Sequence, residues 1–333
     1  MPDRMATRAL AALALALTAC SVGEEPGVVT ITPPAPQAAD SPEREAAALI
    51  IEAMRLHSER DYQPTFHLLA EAIRLDPQNP NGYYFRANAH RATGEMAEAV
   101  EDYTAAVELD PAYIEAFVAR VAALKELGDL AGAEEDLSSA IALDPGRADI
   151  YRSRARIRLQ VGALARAIAD LDRAIGLDPT RPAAFNDRGL AYAALGEHLR
   201  AKDDFSKAIG LDPEDAIAYA NRGVANLALG EYQSALSDLD EAVRLDPISG
   251  SHHLSRGNVY REMERYEDAL ADYDRAIQLD PNSAATFFNR ALALDRAGRS
   301  DEAARDLDTV HRLDLEFEMT RFDEAQVRIG YGD

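Results

Sequence analysis

The sequence predicts an all-α fold, a solenoid of helical hairpins with a period of 34 residues. The tripeptide Leu-Asp-Pro recurs seven times at this constant interval, from Asp76 to Asp280, and Leu-Asp-Leu continues the series at Asp314. When each unit is numbered so that the Pro is position 32, position 15 is Gly in six units, and positions 20 and 27 are each Ala in seven. A fixed period of this length is the signature of a repeat architecture.

The composition agrees with an array of repeats and excludes several other classes of protein. The chain has 333 residues, a net charge of −23, 47% hydrophobic residues and one Cys, so it is neither a disulfide scaffold nor a typical disordered chain. Much of the apolar fraction is Ala, which favours helices but buries little area per residue. The negative charge argues against a nucleic-acid partner, because the field of the protein repels polyanions.

The first 19 residues have the pattern of a signal peptide. Arg4 and Arg8 precede an apolar run that is too short to span a bilayer, and the run ends at Leu17-Thr18-Ala19-Cys20. This end resembles the bacterial lipobox, which implies cleavage after residue 19 and acylation of Cys20 as a membrane anchor. Two alternatives stay open, namely an ordinary secretory signal that happens to end near a Cys, and a cytosolic amphipathic helix.

Residues 20–41 form a predicted tether between the acylated Cys and the repeats. The segment is rich in Pro and Gly and has few large apolar residues, a composition that stays unfolded, with a reach of about 25 Å. The lipobox resemblance implies a bacterial envelope protein. The non-acidic Ser21 resembles the sorting signal for the outer membrane, so the sequence favours that membrane, facing the periplasm, over the inner membrane.

Residues 42–314 are predicted to hold eight units, which start at 46, 80, 114, 148, 182, 216, 250 and 284. Each is a hairpin of two helices that turns at position 15, and the second helix ends before Asp-Pro because Pro disfavours a helical residue ahead of it. The first unit is degenerate, with Glu52 at position 7, and Ser41-Pro42 is a helix start. We expect residues 315–333 to include a capping helix, since apolar residues recur there on one helical face. These are Met319, Phe322, Ala325 and Ile329.

Residues 46–314 resemble the tetratricopeptide repeat, in a variant with Asn-Arg-Gly on the first helix. The motif stands at Asn221-Arg222-Gly223, and looser forms stand at Asp187-Arg188-Gly189 and Ser255-Arg256-Gly257. The resemblance implies a right-handed superhelix in which the first helices line a concave groove.

Two positions of the repeat predict a row of ion pairs. Position 7 is Arg and position 23 is Asp in all seven units from 80 onward, and these positions lie at the same height in a hairpin that turns at 15. We predict a partly buried pair within each unit, or between the Asp of one unit and the Arg of its neighbour. The alternative is a row of anion-binding sites. The residues are Arg86 and Asp102, Arg120 and Asp136, Arg154 and Asp170, Arg188 and Asp204, Arg222 and Asp238, Arg256 and Asp272, and Arg290 and Asp306.

Position 4 carries a stripe of aromatic residues. Six of the seven units have Tyr or Phe there, and His253 stands in the seventh. Such a stripe could stack bases or sugars, but we interpret it as core between helices. The six are Tyr83, Phe117, Tyr151, Phe185, Tyr219 and Phe287.

The family resemblance also implies which side chains face the groove, at positions 2, 5, 9, 12 and 13. They give a mostly apolar floor with a basic shoulder on its amino-terminal side, which suits an amphipathic helix or an extended segment with some acidic residues. Alternatively, the floor packs a second copy, or a tight superhelix buries it. The carboxylate clamp of chaperone-binding relatives is absent, because Tyr84 stands where the clamp needs Lys. The predicted groove residues are Asn88, Arg91, Arg152, Arg156, Asn186, Leu190, Ile217, Val224, Leu227, Leu254 and Asn258.

No motif in the chain predicts catalysis. The seven His are scattered, and the sequence has neither a phosphate-binding Gly loop nor a Gly-x-Ser-x-Gly elbow. We therefore predict no catalytic residue, metal or cofactor. The first hypothesis is a lipid-anchored adaptor that binds a protein or peptide in its groove. The second is a scaffold that assembles as a homo-oligomer, and a hydrolase is the third.

Overall fold

The computed structural model describes residues 41–313, and this part of the chain is built from sixteen α-helices. The predicted signal peptide, Cys20, nearly all of the tether and the predicted capping helix lie outside the described residues. In chain order the helices are α1 (Pro42–Ser58), α2 (Tyr62–Leu75), α3 (Pro80–Thr93), α4 (Met96–Leu109), α5 (Ile114–Glu126), α6 (Leu130–Leu143), α7 (Ala148–Gln160), α8 (Leu164–Leu177), α9 (Pro182–Ala194), α10 (His198–Leu211), α11 (Ala216–Ala228), α12 (Tyr232–Leu245), α13 (Gly250–Glu262), α14 (Tyr266–Leu279), α15 (Ala284–Arg296) and α16 (Ser300–Leu313).

The repeated Leu-Asp-Pro ends each second helix from α2 to α14. The Asp has an extended φ between −130° and −140°, as expected for a residue before Pro. In six of the seven cases its carboxylate also accepts a hydrogen bond from the backbone N–H two residues later, as in Asp110 with Ala112. This Asx turn starts the connection to the next hairpin. The tripeptide therefore ends one helix and begins the connection to the next helix.

The turn inside each hairpin requires a left-handed residue at position 15. Six units have Gly there with φ between 73° and 87°, and the other two have Arg60 with φ 61° and Glu264 with φ 58°. Gly adopts this conformation at no steric cost, whereas Arg and Glu are strained. The first hairpin, which the sequence marks as degenerate, therefore makes the same turn as the others.

Small buried residues let the helices approach closely, both within and between hairpins. The Ala residues at positions 20 and 27 are at most 5% exposed, and the clusters of buried side chains follow one another along the array. Each second helix packs on the first helix of the next hairpin, and successive first helices also approach one another in most units. The predicted all-α solenoid of helical hairpins is confirmed. The face along which α1, α3, α5, α7, α9, α11, α13 and α15 lie side by side is called the groove face below.

Candidate binding groove

The predicted Arg and Asp residues meet within each hairpin rather than between hairpins. Every Arg at position 7 donates from Nε and Nη2 to the two carboxylate oxygens of the Asp at position 23 in its own unit, over N···O distances of 2.6 to 2.9 Å. The Asp residues are only 3 to 6% exposed. Two parallel hydrogen bonds of this kind fix both distance and orientation. The seven pairs therefore fasten the first helix of each hairpin to the second.

Six of these Arg residues also link their hairpin to the preceding one. Nη1 donates to the side chain at position 25 of the preceding unit, over 2.6 to 3.1 Å. For Arg188 the carboxylates of Asp204 and then Asp172 raise the pKa of the guanidinium, because they bond its charged form. The acceptors share only an oxygen on a short side chain, which is why the sequence reasoning missed them. They are Thr104, Ser138, Asp172, Ser206, Asp240 and Asp274.

The aromatic stripe at position 4 covers the row of ion pairs. In six units the guanidinium carbon lies 5.5 to 5.8 Å from the ring centroid in its own hairpin, within the range of a cation–π contact. The rings are half-buried and several pack on the apolar clusters. In the seventh unit the Nδ1 of His253 lies 3.0 Å from Oδ1 of Asp272, which is paired with Arg256. The aromatic stripe thus packs against the apolar clusters and also contacts the guanidinium groups of the ion pairs.

Three apolar side chains are exposed near the middle of the groove face. Leu190 and Val224 hold position 9 of α9 and α11, two first helices that approach each other, and Ile217 lies two turns before Val224. Their exposed fractions are 40%, 44% and 60%. Leu227 and Leu254, also predicted for the groove, are half-buried and pack against the clusters of their own hairpins. We call Leu190, Ile217 and Val224 the apolar patch.

The predicted Asn residues of the groove are engaged inside the array. Each offers its Oδ1 atom to a donor on another helix, over 2.6 to 2.9 Å. Burial raises the pKa of one of these donors, Tyr103, to about 12, so it stays protonated at neutral pH. The pairs are Asn88 with Tyr103, Asn186 with Asn221, and Asn258 with Tyr273.

The basic residues predicted for the amino-terminal side of the groove are also partly engaged in contacts within the protein. Nε of Arg152 donates to Oδ2 of Asp187, a buried residue of the next hairpin, over 2.7 Å. Arg91 is exposed and lies near His57, whose pKa is lowered mainly by burial and then by the Arg91 charge. Arg156 is exposed and makes no hydrogen bond or ion pair with any described residue. Of the predicted basic residues, Arg156 is therefore the one without a partner among the described residues, and it lies on α7, which approaches the α9 helix of Leu190.

Within residues 41–313, no three His, Cys, Asp or Glu side chains are arranged to hold a metal ion. None of the helices between Pro42 and Leu313 combines the length and apolarity that crossing a membrane requires.

Sequence models of tetratricopeptide repeats match residues 80–113, 118–182, 186–248 and 257–298, together more than half of the chain. Among solved structures, a tetratricopeptide repeat protein from Parabacteroides merdae is similar over 75% of this chain and 99% of its own, with 20% identity and a TM-score of 0.59. The C-terminal part of a repeat protein from Cytophaga hutchinsonii is similar over 72% of this chain and 98% of its own, with 19% identity and the same TM-score. No curated protein matches the sequence.

Proposed function

Because the chain belongs to the tetratricopeptide repeat family, we propose that it is a non-catalytic adaptor of the bacterial envelope, anchored by acylated Cys20. Its groove face binds a segment of a partner protein. The family fold and the similar structures support protein binding in general. The lipobox-like end of the first 20 residues supports the anchor. An anchor confines the search for a partner to a layer near the membrane and so raises the effective concentration.

The observation that carries the proposed groove is the exposed apolar patch. Leu190, Ile217 and Val224 remain 40 to 60% exposed in a chain with a net charge of −23. Fully burying a side chain of this kind is worth about 1.5 to 3 kcal/mol, so covering the exposed part of all three supplies a few kcal/mol. Two polar pairs of the same region, Arg152 with Asp187 and Asn186 with Asn221, are already bonded within the array. The patch therefore favours an apolar partner surface.

The anchor is tested by replacing Cys20 with Ser in the native host. We expect the Cys20→Ser protein to lose incorporation of a labelled fatty acid and to leave the membrane fraction, because no lipid can then be attached. Density-gradient separation of inner and outer membranes, applied to the unchanged protein, tests the preference for the outer membrane. Equal membrane retention and labelling of both proteins would refute the anchor.

The groove is tested by capture of partners from detergent-solubilised envelopes. We expect the triple variant Leu190→Glu, Ile217→Glu and Val224→Glu to lose a partner protein that the unchanged protein retains, since three charges cannot be buried in an apolar contact. Leu227 is left unchanged because it packs within its hairpin. The matched control is Leu199→Glu, an equally apolar residue that is 64% exposed on the second helix α10.

Three outcomes of the capture are informative. Loss of a partner with the triple variant but not with Leu199→Glu supports the adaptor. If all three baits retain the same proteins, binding through the groove face is refuted. If the unchanged protein captures only further copies of itself, and the triple variant does not, the homo-oligomeric scaffold replaces the adaptor. Circular dichroism of each variant confirms that the helices are intact.

A further inference from the structure

We infer that the partner segment carries a carboxylate side chain that binds Arg156 on α7. The first apolar side chain of the segment then contacts Leu190 on α9, the next first helix along the groove face. This inference rests on the proposed function and specifies the chemistry of the ligand. It follows from the pairing of charges around α7, from the spacing of the first helices and from the acidic residues next to the site.

The hairpin that contains α7 and α8 differs in charge from the rest of the array. Residues 148–181 include seven Arg and four Asp, with no Lys or Glu, whereas each of the other seven units has more acidic than basic residues. An acidic ligand is therefore attracted to this hairpin more than to any other. This surplus of positive charge lies next to the apolar patch, because the following unit begins with α9, which carries Leu190.

Among the four Arg residues on α7, Arg156 is the one that no acidic residue within residues 41–313 binds. Arg152, Arg154 and Arg158 are held by acidic residues at 2.7 to 2.9 Å, while Arg156 is exposed and unpaired among the described residues. An exposed guanidinium beside an apolar surface can bind a carboxylate with two parallel hydrogen bonds. The partners of the other three are Asp187 for Arg152, Asp170 for Arg154, and Asp170 with Glu134 for Arg158.

The register of the ligand follows from the repeat. Arg156, Leu190 and Val224 all hold position 9, on the successive first helices α7, α9 and α11, which approach one another. Packed helices are about 8 to 10 Å apart, so these side chains form a row with that step. An extended polyproline-type segment rises about 9 Å in three residues and then presents the same face. A helix presents the same face again after about seven residues, a rise of about 10.5 Å, which is close to this step. The ligand pattern is therefore acidic-x-x-apolar-x-x-apolar when extended, and has spacings of seven when helical.

The same region disfavours a ligand with many negative charges. The resemblance-defined groove positions 2 and 13 of α5, the first helix on the far side of α7, are Glu115 and Glu126, and both are exposed. A phosphorylated or nucleic-acid ligand would bring several negative charges toward these carboxylates and toward a chain with a net charge of −23, and this repulsion opposes its binding. A single Asp or Glu within an apolar segment avoids that repulsion.

The test uses fluorescein-labelled synthetic peptides with blocked ends and the full-length protein in detergent. One series has Asp, Asn or Lys at the first place and Leu three and six residues later, and a second series has spacings of seven. We expect the Asp peptide of one series to bind about tenfold more tightly than its Asn counterpart, as a charge-assisted contact allows. Arg156→Gln should remove this preference, and Arg156→Glu should transfer it to the Lys peptide. Arg173→Gln, an exposed Arg on α8, should change neither.

The outcomes separate this inference from the proposed function. If Asp and Asn peptides bind equally to all proteins, while Leu190→Glu abolishes both, the groove stands and the carboxylate contact is refuted. If the preference for Asp survives Arg156→Gln, another cation holds the ligand and the assignment of Arg156 is wrong. If no peptide of either spacing binds, both this inference and the groove as a peptide site are refuted.

Discussion

Replacing Asp170 with Ala is expected to lower the free energy of unfolding by about 3–5 kcal/mol, as for other buried pairs that lose one partner. The Asp170 carboxylate is 4% exposed and accepts hydrogen bonds from both Arg154 and Arg158. Its removal leaves two guanidinium groups close together with less negative charge between them. We expect a larger effect here than at Asp204, whose carboxylate is held by Arg188.

Asp172→Ala is the matched control for this experiment. Asp172 lies on the same helix, also pairs with an Arg, and is exposed over about half of its side chain. Exposed pairs contribute about 0 to 1 kcal/mol, so its loss should be small. Urea denaturation gives the total effect, and amide hydrogen exchange shows whether the hairpin of α7 and α8 opens separately, as repeat arrays permit. Equal destabilisation by the two variants would contradict a buried network.

The ion pairs show how far a periodic sequence predicts contacts. Positions 7 and 23 lie at equal heights in one hairpin. The period and the position of the turn were therefore enough to predict that the Arg and Asp side chains meet. The choice between a pair within a unit and a pair between units stayed open, because the offset of neighbouring hairpins is a property of their packing. Six Arg residues in fact use both directions, with two nitrogens inside the unit and one toward the preceding unit.

The groove was harder to predict than the fold because its polar contacts recur in only some of the units or change their residue types from one unit to the next. Arg152 and Asp187 are 35 residues apart, and the same offset joins Asn186 to Asn221 with different chemistry. Such a pair leaves no periodic signal, and the sequence therefore counted Arg152 as available to a ligand. At position 15, by contrast, the structure repeats in units where the sequence does not. The turn persists with Arg60 and Glu264, since the packing of two helices on each side imposes the left-handed conformation on a residue that does not favour it.

Phe205→Ala is the second substitution with a large expected effect, a loss of about 3–5 kcal/mol in the free energy of unfolding. The ring is 1% exposed and lies between α9 and α10, where it fills the space above Gly189. A Cβ atom on Gly189 would lie 2.6 Å from the ring, so the pair is packed to its limit. Truncation to Ala leaves a cavity that neighbouring Ala residues cannot fill. Thermal or urea denaturation measures the loss.

The same contact predicts that two unfavourable substitutions compensate. Gly189→Ala alone should cost about 1–3 kcal/mol, because the new methyl group strikes the ring. Phe205→Leu alone should leave a small void. Combined, they reproduce the pair Ala155 and Leu171 of the preceding hairpin, where both residues are at most 2% exposed. We therefore expect the double variant to be more stable than Gly189→Ala, with a coupling energy of about 0.5–3 kcal/mol in a double-mutant cycle. Additive losses would show that the hairpins are packed by rules that differ from unit to unit, and that the period of 34 does not extend to side-chain volume.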